Sequence, residues 1–242
     1  MPQPQKIALI TGANQGIGLE VARQLGKQNI LVLIGSRNWT RGKEAAQQLV
    51  AERIEAQAIQ LDVTDQQSIE EAARQINDSY GRLDILVNNA AIAPVQDSQP
   101  KERPLDKIRA IFETNVFGLF AVTQAMLPLL HRSSAGRIVN VSSGLASLGT
   151  LSNAPAAALR PFSWPYPSSK TAVNSITIFL AKQLEQSAIK VNAVDPGRTA
   201  TAMNPQATRT PAQAAQTIVH YATLASDGPS GGFFGEAGSL PW

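Results

Sequence analysis

The chain has 242 residues, 43% hydrophobic and 16% charged, with 17 glycines and 15 prolines; this excludes disordered, collagen-like and coiled-coil chains and leaves one large α/β unit or two small domains. It has no cysteine, which excludes disulfides, thiolate metal ligands and cysteine nucleophiles, so redox chemistry needs a bound cofactor. The net charge of +3 comes from scattered cations, and aromatics make up only 5%, which argues against a nucleic-acid partner. The opening MPQPQK lacks the cationic start and long apolar core of a signal peptide, so a cytoplasmic location is expected. The uncharged stretch 114–130 is interrupted by Asn115, Thr123, Gln124 and Pro128, and is expected to be a buried helix rather than a membrane span.

In chain order, short aliphatic runs alternate with segments of helical spacing. The runs are IALI (7–10), ILVLI (30–34), AQAIQL (56–61), DILVN (84–88), RIVNVS (137–142), IKVNAV (189–194) and GGFF (231–234). Helices are expected over 16–28, 40–53, 66–79, 105–131 with a break near Asn115, 166–186 and 211–224. Apolar strands separated by helices imply a doubly wound parallel sheet covered on both faces. No linker or repeat divides it, so residues 1–242 are expected to form one domain. Residues 144–165, rich in Ala, Ser, Leu and Pro, read as a long loop, and such loops are often functional.

After the first run comes TGANQGIG, then an amphipathic helix. Gly12 permits a tight turn, while Gly16 and Gly18 remove the Cβ atoms that would block a pyrophosphate and close helix–strand packing. The helix N-terminus offers N–H groups to phosphate. Gly12, Asn14, Gln15, Gly16, Ile17 and Gly18 are therefore the candidate cofactor cradle. NAD-binding folds usually place a carboxylate about 20 residues beyond the glycines, whereas NADP-binding ones place a cation there. Here Ser36 and Arg37 hold that place, and no carboxylate lies between Glu20 and Glu44. NADP(H) is therefore expected rather than NADH, with Arg37 pairing the 2′-phosphate.

Tyr166 and Lys170 are four residues apart and share one helix face. An ammonium near a phenol is expected to lower the phenol's pKa and make it a usable proton donor. Tyr166 would protonate a developing alkoxide, Lys170 would tune it and bind the nicotinamide ribose, and Ser143 would hydrogen-bond the substrate carbonyl. His131 and His220 lack partners at metal spacing, and no metal site is expected.

Thr11–Gly18, Asn88-Asn89-Ala90, Asn115, Ser143, Tyr166/Lys170 and Pro196-Gly197-x-x-x-Thr201 occur in this order, each at a strand end or inside the following helix. With this set the chain resembles the classical short-chain dehydrogenases/reductases over essentially its whole length. The resemblance implies a seven-stranded single-domain Rossmann fold and a catalytic tetrad of Asn115, Ser143, Tyr166 and Lys170, Asn115 holding a proton-relay water to Lys170. It further implies that Asp62 and Val63 contact adenine, that Asn88 and Ala90 line the cofactor ribose, and that Pro196, Gly197, Thr199 and Thr201 cradle the nicotinamide end.

The TGAN opening and the ending GPSGGFFGEAGSLPW look like the family's carbonyl-reductase branch, which implies NADPH-dependent reduction of a small ketone or aldehyde, or the reverse alcohol oxidation. Gln15 stands where many such enzymes carry a cation, and Ala91 where glycine is usual. Ser143 and Tyr166 are 23 positions apart, more than in the commonest family pattern and fewer than in the monomeric carbonyl reductases. The extra residues place Phe162 and Trp164 as candidate substrate-wall residues. In the family, the helices corresponding to 114–131 and 166–186 usually form a dimer face, so a homodimer or homotetramer is expected. Two other readings stay open: a dedicated biosynthetic ketoreductase or polyol dehydrogenase, and a non-catalytic nucleotide sensor on the same fold.

Overall fold

A computed structural model describes residues 5–93, 105–155 and 164–242. The alternation of apolar strands and amphipathic helices gives, in order, β1 (Ile7–Thr11), α1 (Gly16–Gly26), β2 (Leu31–Ser36), α2 (Trp39–Ala51), β3 (Ala56–Gln60), α3 (Gln66–Tyr80) and β4 (Ile85–Asn88). Then come α4 (Leu105–Phe112), a π-helical turn (Glu113–Gly118), α5 (Leu119–Leu130), β5 (Arg137–Val141), a 3-10 turn (Gly144–Ala146), α6 (Leu148–Asn153) and α7 (Pro165–Gln183). The chain ends with β6 (Lys190–Val194), α8 (Pro211–Ala222), β7 (Phe233–Gly235) and β8 (Gly238–Ser239).

The sheet order is β3-β2-β1-β4-β5-β6-β7-β8. Every pairing is parallel except the last, β7 with β8. Successive strand residues serve opposite faces. Ala8, Ile10, Val32 and Ile34 pack with Val21, Leu25, Leu49 and Ile218 from α1, α2 and α8. Ile7, Leu9, Leu31 and Leu33 pack with Ile69, Ile76, Val122, Met126 and Leu180 from α3, α5 and α7. Strand order reverses beside β1, with β2 on one side and β4 on the other, and the carboxyl ends at such a reversal open a crevice suited to a ligand.

The described residues form one doubly wound unit, with three departures from the sequence reading. The sheet has eight strands rather than seven, because the chain turns back after β7 and adds a two-residue antiparallel edge. The break expected near Asn115 is a π-helical turn, which keeps α4 and α5 in one continuous run. This run, Leu105–Leu130, is apolar and long enough to cross a membrane by composition, with a mean hydropathy of 1.3 over its most apolar window, but α5 is packed against the sheet as a core helix. The stretch 144–165 is not wholly irregular. Ser143 begins the 3-10 turn, and the Ser147 hydroxyl accepts from the Thr150 amide at 2.9 Å to start α6.

Candidate active site

Gly12, at φ +64°, makes the turn out of β1, and a Cβ there would lie 3.0 Å from the Ala90 Cα. Gly18 lets α1 sit tight on the turn: a Cβ there would come within 2.6 Å of Asn89 Nδ2 and 2.8 Å of the Gly12 oxygen. Asn89 braces the arrangement, its side-chain amide donating to the Thr11 and Gly12 oxygens at 2.9 and 3.2 Å. The Thr11 hydroxyl accepts from the Asn89 and Ala90 amides at 3.0 and 2.9 Å. At the start of α1, Gln15 makes no side-chain cap and the first turn has no carboxylate, so the N–H groups stay open to an anion. Asn14 and Ile17 are half-buried beside them. The residues present thus fit a pyrophosphate.

At the end of β2, Ser36 is buried and donates to the Asn38 oxygen at 2.9 Å, so its hydroxyl is engaged locally. Arg37 is the opposite, with 79% of its side chain exposed and its Nε 4.0 Å from Asp62 Oδ2. Asp62 is held by the amide and hydroxyl of Thr64 at 3.0 and 2.7 Å. Val63 is buried, and its carbonyl lies where a Cβ on Gly118 would come within 2.6 Å, so the π-helical turn rests on this segment. Asn88 is turned into the core, its amide donating to Thr123 Oγ1 and Asn140 Oδ1, both at 2.9 Å. The ribose contact expected of Asn88 does not run through this side-chain amide group. Ala90 packs on Gly12 at the crevice.

The π-helical turn carries Asn115 inward, where it is fully buried. Its Oδ1 accepts from the Ile92 amide at 2.8 Å, and its Nδ2 donates to the Ile92 oxygen at 2.9 Å and to Ser169 Oγ at 3.0 Å. Asn115 thus ties the segment after β4 to α7, and none of these bonds reaches Lys170. Lys170, 2% exposed, donates from Nζ to the Val141 oxygen at 2.7 Å and lies 5.8 Å from the centroid of the Tyr166 ring. Burial pulls the Lys170 ammonium down to about 8.

Tyr166 departs from the expectation that its pKa is lowered. Burial, the nearby Asp195 carboxylate and, in the opposite sense, a hydrogen bond with Ser143 leave the phenol pushed up to about 12. Sequence spacing supplies the neighbouring ammonium but not the desolvation, and here desolvation dominates. The phenol therefore keeps its proton at neutral pH. Ser143, at the end of β5, also accepts from the Leu145 amide at 3.3 Å.

Beyond β6, Pro196 is buried and Gly197 turns the chain at φ +74°. Thr199 donates to the Gly197 oxygen at 2.9 Å, and the Thr201 methyl lies 3.7 Å from where a Cβ on Gly16 would be. This loop and the glycine turn therefore meet across the crevice. Trp164 stands at the start of α7 with 52% exposure, while Phe162 lies outside the described residues. The sequence reading missed three residues. Asn89 was legible only as part of a motif, Arg209 fastens the loop by its ion pair with Glu236 and its bond to the Gln213 oxygen at 3.0 Å, and Asp195 lies next to the chemistry.

The model of the short chain dehydrogenase family matches residues 6–212. The chain is 34% identical to (-)-isopiperitenone reductase of Mentha piperita, over 97% of each chain. It is 32% identical to carbonyl reductase (NADPH) 1 of Mus musculus over the full length of both. The crystal structure of NADPH-bound carbonyl reductase from chicken fatty liver superposes with a TM-score of 0.84 at 25% identity, covering 98% of this chain and 99% of that one. The chain belongs to the short-chain dehydrogenase/reductase family of oxidoreductases, on its carbonyl-reductase-like side.

Proposed function

We propose that this protein is an NADPH-dependent reductase of ketones or aldehydes, able in principle to oxidise the corresponding alcohols. The observation that carries this reading is the meeting of Ser143, Tyr166 and Lys170 at the carboxyl ends of the central strands, beside a glycine turn whose N–H groups are open. When bound, the reduced nicotinamide supplies a hydride to the carbonyl carbon. The chain's own work is to place and protonate the carbonyl oxygen. Ser143 donates a hydrogen bond to that oxygen, where negative charge grows in the transition state. The protonated Tyr166 gives up its proton to the same atom. Lys170, anchored on Val141, holds positive charge under the Tyr166 ring and stabilises the phenolate as it forms. Asn115 positions α7 through Ser169, whose hydroxyl donates to the backbone carbonyl oxygen of Tyr166 at 2.7 Å.

Cofactor choice rests on Arg37, exposed at the end of β2, with no carboxylate on β2 or its following turn and its Nε 4.0 Å from the Asp62 carboxylate. The NADPH named for the mouse and chicken relatives supports the same choice. Assembly with a second copy of the chain is supported by Phe117, Phe120 and Phe179, which are 59%, 46% and 68% exposed on the π-helical turn, α5 and α7. The test is a panel of ketones and aldehydes offered with each nicotinamide in turn. Consumption of NADPH well ahead of NADH is expected, and a panel on which neither nicotinamide is consumed contradicts the reading.

A further inference from the structure

Asp195 directly follows β6, one residue before the loop that closes the crevice, and is half-buried. Its two oxygens are used differently. Oδ1 accepts from the Gly197 amide at 3.0 Å, an Asx turn that fixes the carboxylate's direction. Among the described residues, Oδ2 accepts no hydrogen bond and has no cation within ion-pair distance. A Cβ on Gly144 would lie 3.0 Å from this Oδ2, so the missing side chain at position 144, next to Ser143, is what lets the carboxylate approach the corner where the carbonyl is held. The carboxylate's charge reaches the Tyr166 phenol from there.

A carboxylate that no protein cation pairs opposes an oxyanion developing beside it. A substrate that brings a donor to Oδ2 removes that penalty and gains a charge-assisted hydrogen bond. We infer that Asp195 is a specificity-determining residue, its Oδ2 accepting a hydrogen bond from a hydroxyl or ammonium group on the carbon next to the reacting carbonyl. This inference rests on the reductase reading and names its substrate class: α-hydroxy or α-amino carbonyl compounds.

The test compares wild-type protein with Asp195→Asn, which keeps an acceptor for the Gly197 amide. The probes are hydroxyacetone and 2-butanone, which differ by a hydroxyl in place of a methyl. Asp195→Asn removes the charge together with the strong acceptor, so it should lower the ratio of kcat/KM for hydroxyacetone to that for 2-butanone about tenfold or more, with 2-butanone itself gaining as the penalty on its oxyanion is lifted. Equal changes, or none, on the two ketones overturn the inference. A second readout needs no turnover: calorimetric affinity for 1-amino-2-propanol against 2-butanol with oxidised cofactor present. Asp195→Asn should weaken only the amino alcohol. If neither ketone is reduced yet this loss appears, the reductase reading fails and the role of Asp195 stands. If the ketones are reduced and the substitution moves both alcohols alike, the reverse holds.

Discussion

Arg37 and Lys170 carry their charges under opposite conditions, one almost fully in water and the other almost fully out of it. For Arg37 the proposed consequence is cofactor selectivity at little cost to the fold. Arg37→Asp should weaken NADPH far more than NADH in a fluorescence titration, and equal losses would show that another group reads the phosphate. For Lys170 the consequence is a stability cost. Its folded pKa of about 8 lies below the ordinary 10.5, so between those values the unfolded chain binds more protons and stability rises with pH. Above about pH 10 the raised Tyr166 reverses the slope, because the folded chain then holds a proton the unfolded one loses. Lys170→Met should remove the rise between pH 8 and 10, a difference that reaches about 3 kcal/mol in urea unfolding of the cofactor-free protein. An unchanged pH profile would show that Lys170 is not desolvated. Tyr166 and Lys170 were legible because four-residue spacing on a helix fixes neighbours. The sign of the Tyr166 shift was not, because it depends on burial and on Asp195, which stands 29 positions along the sequence, just past the end of β6.

The element that most constrains the site is the run α4, π-helical turn and α5. The extra residue of the π turn rotates Asn115 into the core, where its amide secures Ile92 and Ser169 at once. Asn115→Ala strands these groups and should cost about 1–3 kcal/mol of unfolding free energy; a change within a few tenths would show that the tie is not structural. The α1 start makes a parallel case. Gly18→Ala has to push back Asn89 and the Gly12 carbonyl, and should cost about 1–3 kcal/mol together with a loss of cofactor affinity. Glycines at the turn were readable from their spacing. The break at Asn115 was readable as a break, but not as a π turn, since no composition signal separates the two. Helix α6 was missed because its Ser147 cap is one serine in a segment already rich in serine.

Across the whole molecule, seven parallel strands followed from the alternation of apolar runs and amphipathic segments. The eighth did not: Gly238–Ser239 carries no apolar signal, and it pairs because the chain after β7 folds back, with Leu240 donating to the Phe233 oxygen at 2.8 Å. The exposed Phe117, Phe120 and Phe179, proposed above as contacts with a second copy, belong to this scale as well. Phe179→Glu should halve the mass measured by light scattering, and a wild-type monomer would remove them as dimer contacts. The site exists only because this architecture collects residues from the ends of β1 to β6 at one crevice, and the proposed mechanism turns on Tyr166 delivering the proton. Turnover of a ketone with NADPH by Tyr166→Phe, beside its affinity for NADPH, tests this most directly. The account predicts affinity within about threefold of wild type and turnover lowered by about a thousandfold or more; a variant that binds the cofactor and turns over like wild type contradicts it.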